Sequence, residues 1–77
     1  MERIYNEFTW AIRNGYSVKK YLSGANLTGD PEIRRVVCGG FTDISVFLKA
    51  MLDMHNNAEL KKDYNACIEA IKILDLK

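Results

Sequence analysis

Little in this sequence lends itself to specialised chemistry. It holds one histidine, one tryptophan, one proline and two cysteines. A zinc site needs three or four soft ligands at close spacing, and His55 with Cys38 and Cys67, 29 positions apart, does not supply them. No metal and no cofactor are therefore expected. No stretch reaches the roughly 18 consecutive apolar residues of a membrane span. The first residues, Met1 to Glu7, show no basic segment leading into an apolar core, so a cytoplasmic protein without membrane contact is expected. In that compartment Cys38 and Cys67 are expected to be buried thiols rather than a disulfide, and the sequon Asn26-Leu27-Thr28 carries no meaning. Charge of one sign is also missing. The net charge is +1, with six basic and four acidic residues in 1–39 against five and six in 40–77, which gives little pull towards nucleic acid.

What is present is a high apolar fraction, 48%, in 77 residues, too high at this net charge for a disordered chain. Folding at this length hides roughly 60–65% of the extended surface. That is enough for one core and too little for two, so residues 1–77 are expected to form a single domain.

The apolar pattern is helical throughout. Ile4, Phe8, Ala11 and Ile12 share one face of a first helix, about Glu2 to Arg13, and Asn14-Gly15 supplies its stop. Ser17 caps a short second helix, Val18 to Leu22. After the loop 24–29, Asp30-Pro31-Glu32 is a strong helix start: a capping carboxylate, a proline with preset φ, and an acid at the positive end of the dipole. Gly39-Gly40 is expected to end this third helix at Cys38. Thr42 then caps a fourth, with the stripe Ile44, Phe47, Leu48, Met51 and Leu52. Asn56-Asn57 breaks it and recaps a fifth, about Ala58 to Leu74, with the stripe Leu60, Tyr64, Cys67, Ile68 and Ile71. No segment alternates in the manner of a strand. The expected fold is all-α, a compact bundle of four to five short helices ending in an αα-hairpin.

The fourth helix carries more apolar surface than one stripe. Between Ile44 and Met54 only Ser45, Lys49 and Asp53 are polar, at every fourth position, which leaves Val46, Ala50 and Met54 as a second apolar row. Ala66, Ala70 and Ile73 flank the main stripe of the fifth helix in the same way. A small bundle has too few helices to enclose such a surface. These six residues are therefore the expected interface with a second copy or another protein.

Other chemistries read less well. His55 at a helix end has no partner at helical spacing, Cys38 has no adjacent base, and no carboxylate pair is singled out, so no enzyme is expected. The glycine-bearing loop before the third helix is not a phosphate cradle, because Asp30 occupies the helix amides itself. Helix two with Lys19 and Lys20, followed by helix three with Arg34 and Arg35, resembles a helix-turn-helix in outline, although its connection is about twice the usual ~3–4 residues. Base stacking by Tyr5, Trp10, Tyr16 and Tyr21 is a weaker variant of the same idea, since aromatics at helical spacing commonly fill cores. The expectation is a small non-enzymatic protein-binding module, adaptor, inhibitor or antitoxin-like in kind, that self-associates. The alternative is a dimeric DNA-binding regulator.

Overall fold

The computed structural model describes residues 2–75. The fold is an all-α bundle of four helices: α1 (Glu2–Arg13), α2 (Val18–Gly24), α3 (Pro31–Met54) and α4 (Ala58–Asp75). The helices begin where short polar side chains take up free amides. Ser17 Oγ accepts from the Lys20 amide at 3.1 Å, and Asp30 Oδ1 from those of Glu32 and Ile33 at 2.8 and 3.4 Å. Asn57 Oδ1 does the same for Glu59 and Leu60, at 2.9 and 3.2 Å. After α1, Gly15 turns the chain at φ +91°, a conformation glycine adopts without a Cβ clash.

The glycine pair Gly39-Gly40 does not end a helix. α3 runs through it unbroken for 24 residues, so the expected third and fourth helices are one, and at about 1.5 Å per residue it accounts for the 36 Å long axis of the molecule. Thr42 does not cap; its hydroxyl donates back to the Cys38 carbonyl at 2.8 Å, inside the same helix. Two internal glycines cost a helix about 1 kcal/mol each relative to alanine. Burial on both sides of the pair, by Val37 and Phe41, offsets that cost.

Continuity also sets which side of α3 faces inward. With Val37 and Phe41 buried, the helical period carries the inner face to Ser45 and Leu48. Phe47, expected in the core, is turned out and 63% exposed, while Ser45, expected on a polar stripe, is buried. Its hydroxyl donates to the Thr42 carbonyl at 2.7 Å, so the buried oxygen is paired.

α3 and α4 pack as a hairpin, by far the most extensive helix pairing in the molecule. α4 contributes Ala66, Cys67, Ala70 and Leu74 to the core. Ala66 and Ala70 were expected at an outer interface. They are core residues instead, 7% and 0% exposed, because α1 and α2 pack over α4 as α3 does. Ile73 is half-buried against the same core. Phe8 from α1 closes the core over α3, its ring edge-on to Phe41 at 4.8 Å and to Tyr21 at 5.6 Å.

Gly39 is helical, and a Cβ built on it would meet nothing within 4 Å. Gly39→Ala is therefore expected to stabilise the monomer by about 1 kcal/mol, which raises Tm by roughly 4–8 °C in a domain of this size. Thermal unfolding followed by circular dichroism at low protein concentration checks this, and a lower Tm would contradict the open surroundings of that position.

Candidate functional site

Two surface features stand out once the core is assigned. The first is the outer face of α3. Val36 is 61% exposed, Val46 66%, Phe47 63% and Met54 77%, with Ala50 exposed beside them. Helical geometry places 36, 43, 47, 50 and 54 on one row at intervals of seven, four, three and four. Of the six expected interface residues, Val46, Ala50 and Met54 lie on or beside this row, and Ala66, Ala70 and Ile73 do not. Sequence reasoning missed Val36 and Phe47. Val36 joins the row only when the glycine pair is counted as helical, and Phe47 lies at the row's spacing from Ala50 and Met54 but equally at that of the core stripe. Asp43 is the one charged member of the row. It also lines, with Glu2, Tyr5, Ile44, Phe47 and Leu48, a shallow and mostly apolar groove of about 440 Å³ between α1 and α3.

The second feature is an open groove of about 720 Å³ between α1 and α2, walled by Trp10, Tyr16 and Tyr21. The Trp10 and Tyr16 rings lie 6.5 Å apart at 34°, and Lys20 Nζ stands 5.3 Å from the Tyr16 ring centroid, a cation held over an aromatic face.

The basic residues of the DNA-binding alternative are employed differently from one another. Lys19 and Lys20 are exposed on α2. Arg34 reaches across to the end of α4 and donates to the carbonyls of Ile73 and Leu74 at 3.4 and 3.1 Å, where helix carbonyls lack partners and the dipole favours a cation. Arg35 pairs with Glu32 at 2.9 Å on its own helix.

A buried ionisable cluster joins α1 to α4, and sequence reasoning did not single it out. Asp63 is 5% exposed and accepts from Arg13 at 3.0 Å. Burial foremost, then the Asp63 charge, pushes the Cys67 thiol up to about 12. Burial and the same charge push the Tyr5 hydroxyl up to about 12, against the opposing pull of Arg13. Both groups therefore stay protonated at neutral pH. Cys38 is half-buried, and both cysteines are free thiols. His55 ends α3, its amide bonded to the Met51 carbonyl at 2.9 Å and its side chain exposed. Among the described residues, no three His, Cys, Asp or Glu side chains gather where they can hold a metal ion, and no helix is long and apolar enough to cross a membrane.

No family model matches this sequence, and no curated protein or solved structure matches it either.

Proposed function

We propose that this chain is a small non-enzymatic protein-binding module of the cytoplasm, adaptor, inhibitor or antitoxin-like in kind, which self-associates through the outer face of α3. The observation that carries this reading is that Val36, Val46, Phe47 and Met54 are all more than 60% exposed along one helix. Leaving large apolar side chains in water forfeits about 25 cal/mol per Å², a strong reason for something to cover them. Together they offer roughly 500 Å² per copy, near the upper end of what monomers expose, and two copies bury on the order of 1,000 Å², the threshold of a specific interface.

The row is also complementary to itself. Gly40 and Met54 each stand seven residues from Phe47. When two copies of α3 run antiparallel about a two-fold axis near Phe47, the Met54 side chain of each copy meets the bare backbone at Gly39 and Gly40 of the other. Such an interface is isologous and closed, and methionine adapts well to a shallow notch. The open space outside Gly39 supports this pairing, because the chain's own packing does not fill it.

Light scattering on a sizing column tests the reading. At tens of micromolar and in high salt, the native chain is expected at twice its 8.8 kDa mass. Phe47→Glu combined with Met54→Glu is expected to give a folded 8.8 kDa monomer, since both side chains lie outside the core. A native chain that stays monomeric into the millimolar range overturns self-association. Persistence of the dimer in the double variant overturns the assignment of this face.

A further inference from the structure

The groove between α1 and α2 is independent of the α3 face. Its volume, about 720 Å³, lies within the ~300–1,000 Å³ of small-molecule sites, and it shares their make-up of apolar walls with few polar groups. Two features set it apart from an ordinary surface crease. Trp10 and Tyr16 are 62% and 44% exposed, so two large ring faces border the groove instead of filling the core. Small residues, Ala11 and Gly24, keep it open; Gly24 has no positive φ, and a Cβ there would meet nothing within 4 Å. Neither backbone geometry nor packing demands glycine at that position.

The charges at the rim decide what kind of molecule fits. Glu7, the other charged residue of the lining, is paired with Arg3 at 3.4 Å and set against the Tyr21 hydroxyl. Lys20 has no ion pair among the described residues, and its ammonium is held at the aromatic wall by Tyr16. With Glu7 engaged by Arg3 and Tyr21, Lys20 is the charge of this aromatic groove that no opposite charge accompanies. A cationic ligand meets repulsion from Lys20, and an uncharged one leaves that charge without a partner. We propose that the groove binds a small aromatic carboxylate, its ring against Trp10 and Tyr16 and its carboxylate on the Lys20 ammonium.

Trp10 is the sole tryptophan, so its indole N–H gives a single, self-assigning signal from within the groove in a ¹H–¹⁵N spectrum. Titration with 3-phenylpropionate is expected to shift that signal saturably with a Kd of roughly 0.1–1 mM, the range a ligand of this size reaches. 2-Phenylethylamine, with a similar ring and the opposite charge, is expected to cause no saturable shift. Lys20→Glu, at an exposed position, is expected to weaken phenylpropionate at least tenfold while the rest of the spectrum keeps its dispersion. Equal responses to acid and amine, unchanged affinity in Lys20→Glu, or no shift up to 10 mM acid would each overturn the proposal. The monomeric Phe47→Glu, Met54→Glu variant is expected to bind as the native chain does, which separates this site from the α3 interface.

Discussion

Phe41→Ala is expected to leave much of the chain unfolded at 37 °C. Phe41 is fully buried at the middle of α3, and its ring is edge-on to Phe8, the residue through which α1 closes the core. Truncating a buried phenylalanine costs about 3–5 kcal/mol, from lost transfer energy plus the cavity left behind. A domain of this length has roughly 4–12 kcal/mol in all. The lost volume sits where three helices meet, so no single side chain can move in to fill it. Urea denaturation followed by circular dichroism measures the loss as a fall in midpoint at nearly constant slope. A cost below ~1 kcal/mol would mean that Phe41 is not the centre of the core.

Arg13→Ala is expected to cost about 2–3 kcal/mol, and the reason is the residue left behind. Asp63 has a side chain only 6% exposed. Without the guanidinium its charge faces a desolvated setting that also holds Tyr5 and Cys67, both of whose ionisations it already opposes. Breaking a fully buried pair from one side costs about 3–5 kcal/mol; the lower figure applies because Arg13 is itself half-exposed, which lets water reach the vacated place. The double variant Arg13→Ala, Asp63→Leu is expected to recover most of the loss, because an apolar side chain leaves no buried charge to compensate. Chemical denaturation of both variants checks this. If the double variant is no more stable than Arg13→Ala, the cost lies in lost packing of the Arg13 stem instead of the stranded carboxylate.

The starts of α2, α3 and α4 were legible in the sequence, and the physical reason is locality, although Thr42, with the same capping chemistry, starts no helix. The Ser17, Asp30 and Asn57 side chains bond amides two or three residues away, so each start is decided within one turn of chain. The stop at Gly15 is equally local. Gly39-Gly40 looks the same on the page and behaves differently. Its effect depends on what Val37 and Phe41 gain by staying in one helix, and that gain comes from α4 and from Phe8, far away in sequence.

The candidate site was half legible for the same reason. Val46, Ala50 and Met54 are outward-facing, as their surplus over a single core stripe implies. Phe47 reads as a core residue because a large aromatic in a helical stripe has no local mark of being outside. Ala66 and Ala70 read as surface residues because a small residue has no local mark of being inside.

The sequence by itself determined that this protein is helical, that helices begin after Ser17, Asp30 and Asn57, that α4 folds back on the helix before it, and that apolar surface exceeds what one stripe can bury. Only the tertiary structure decided that α3 is one helix, which of its faces is left to water, that the alanines of α4 lie in the core, and that Arg13 and Asp63 meet across 50 residues of chain. The division has one physical cause. Capping and propensity are settled among neighbours a few residues apart, whereas burial belongs to a pair of surfaces and has no value until both are in place.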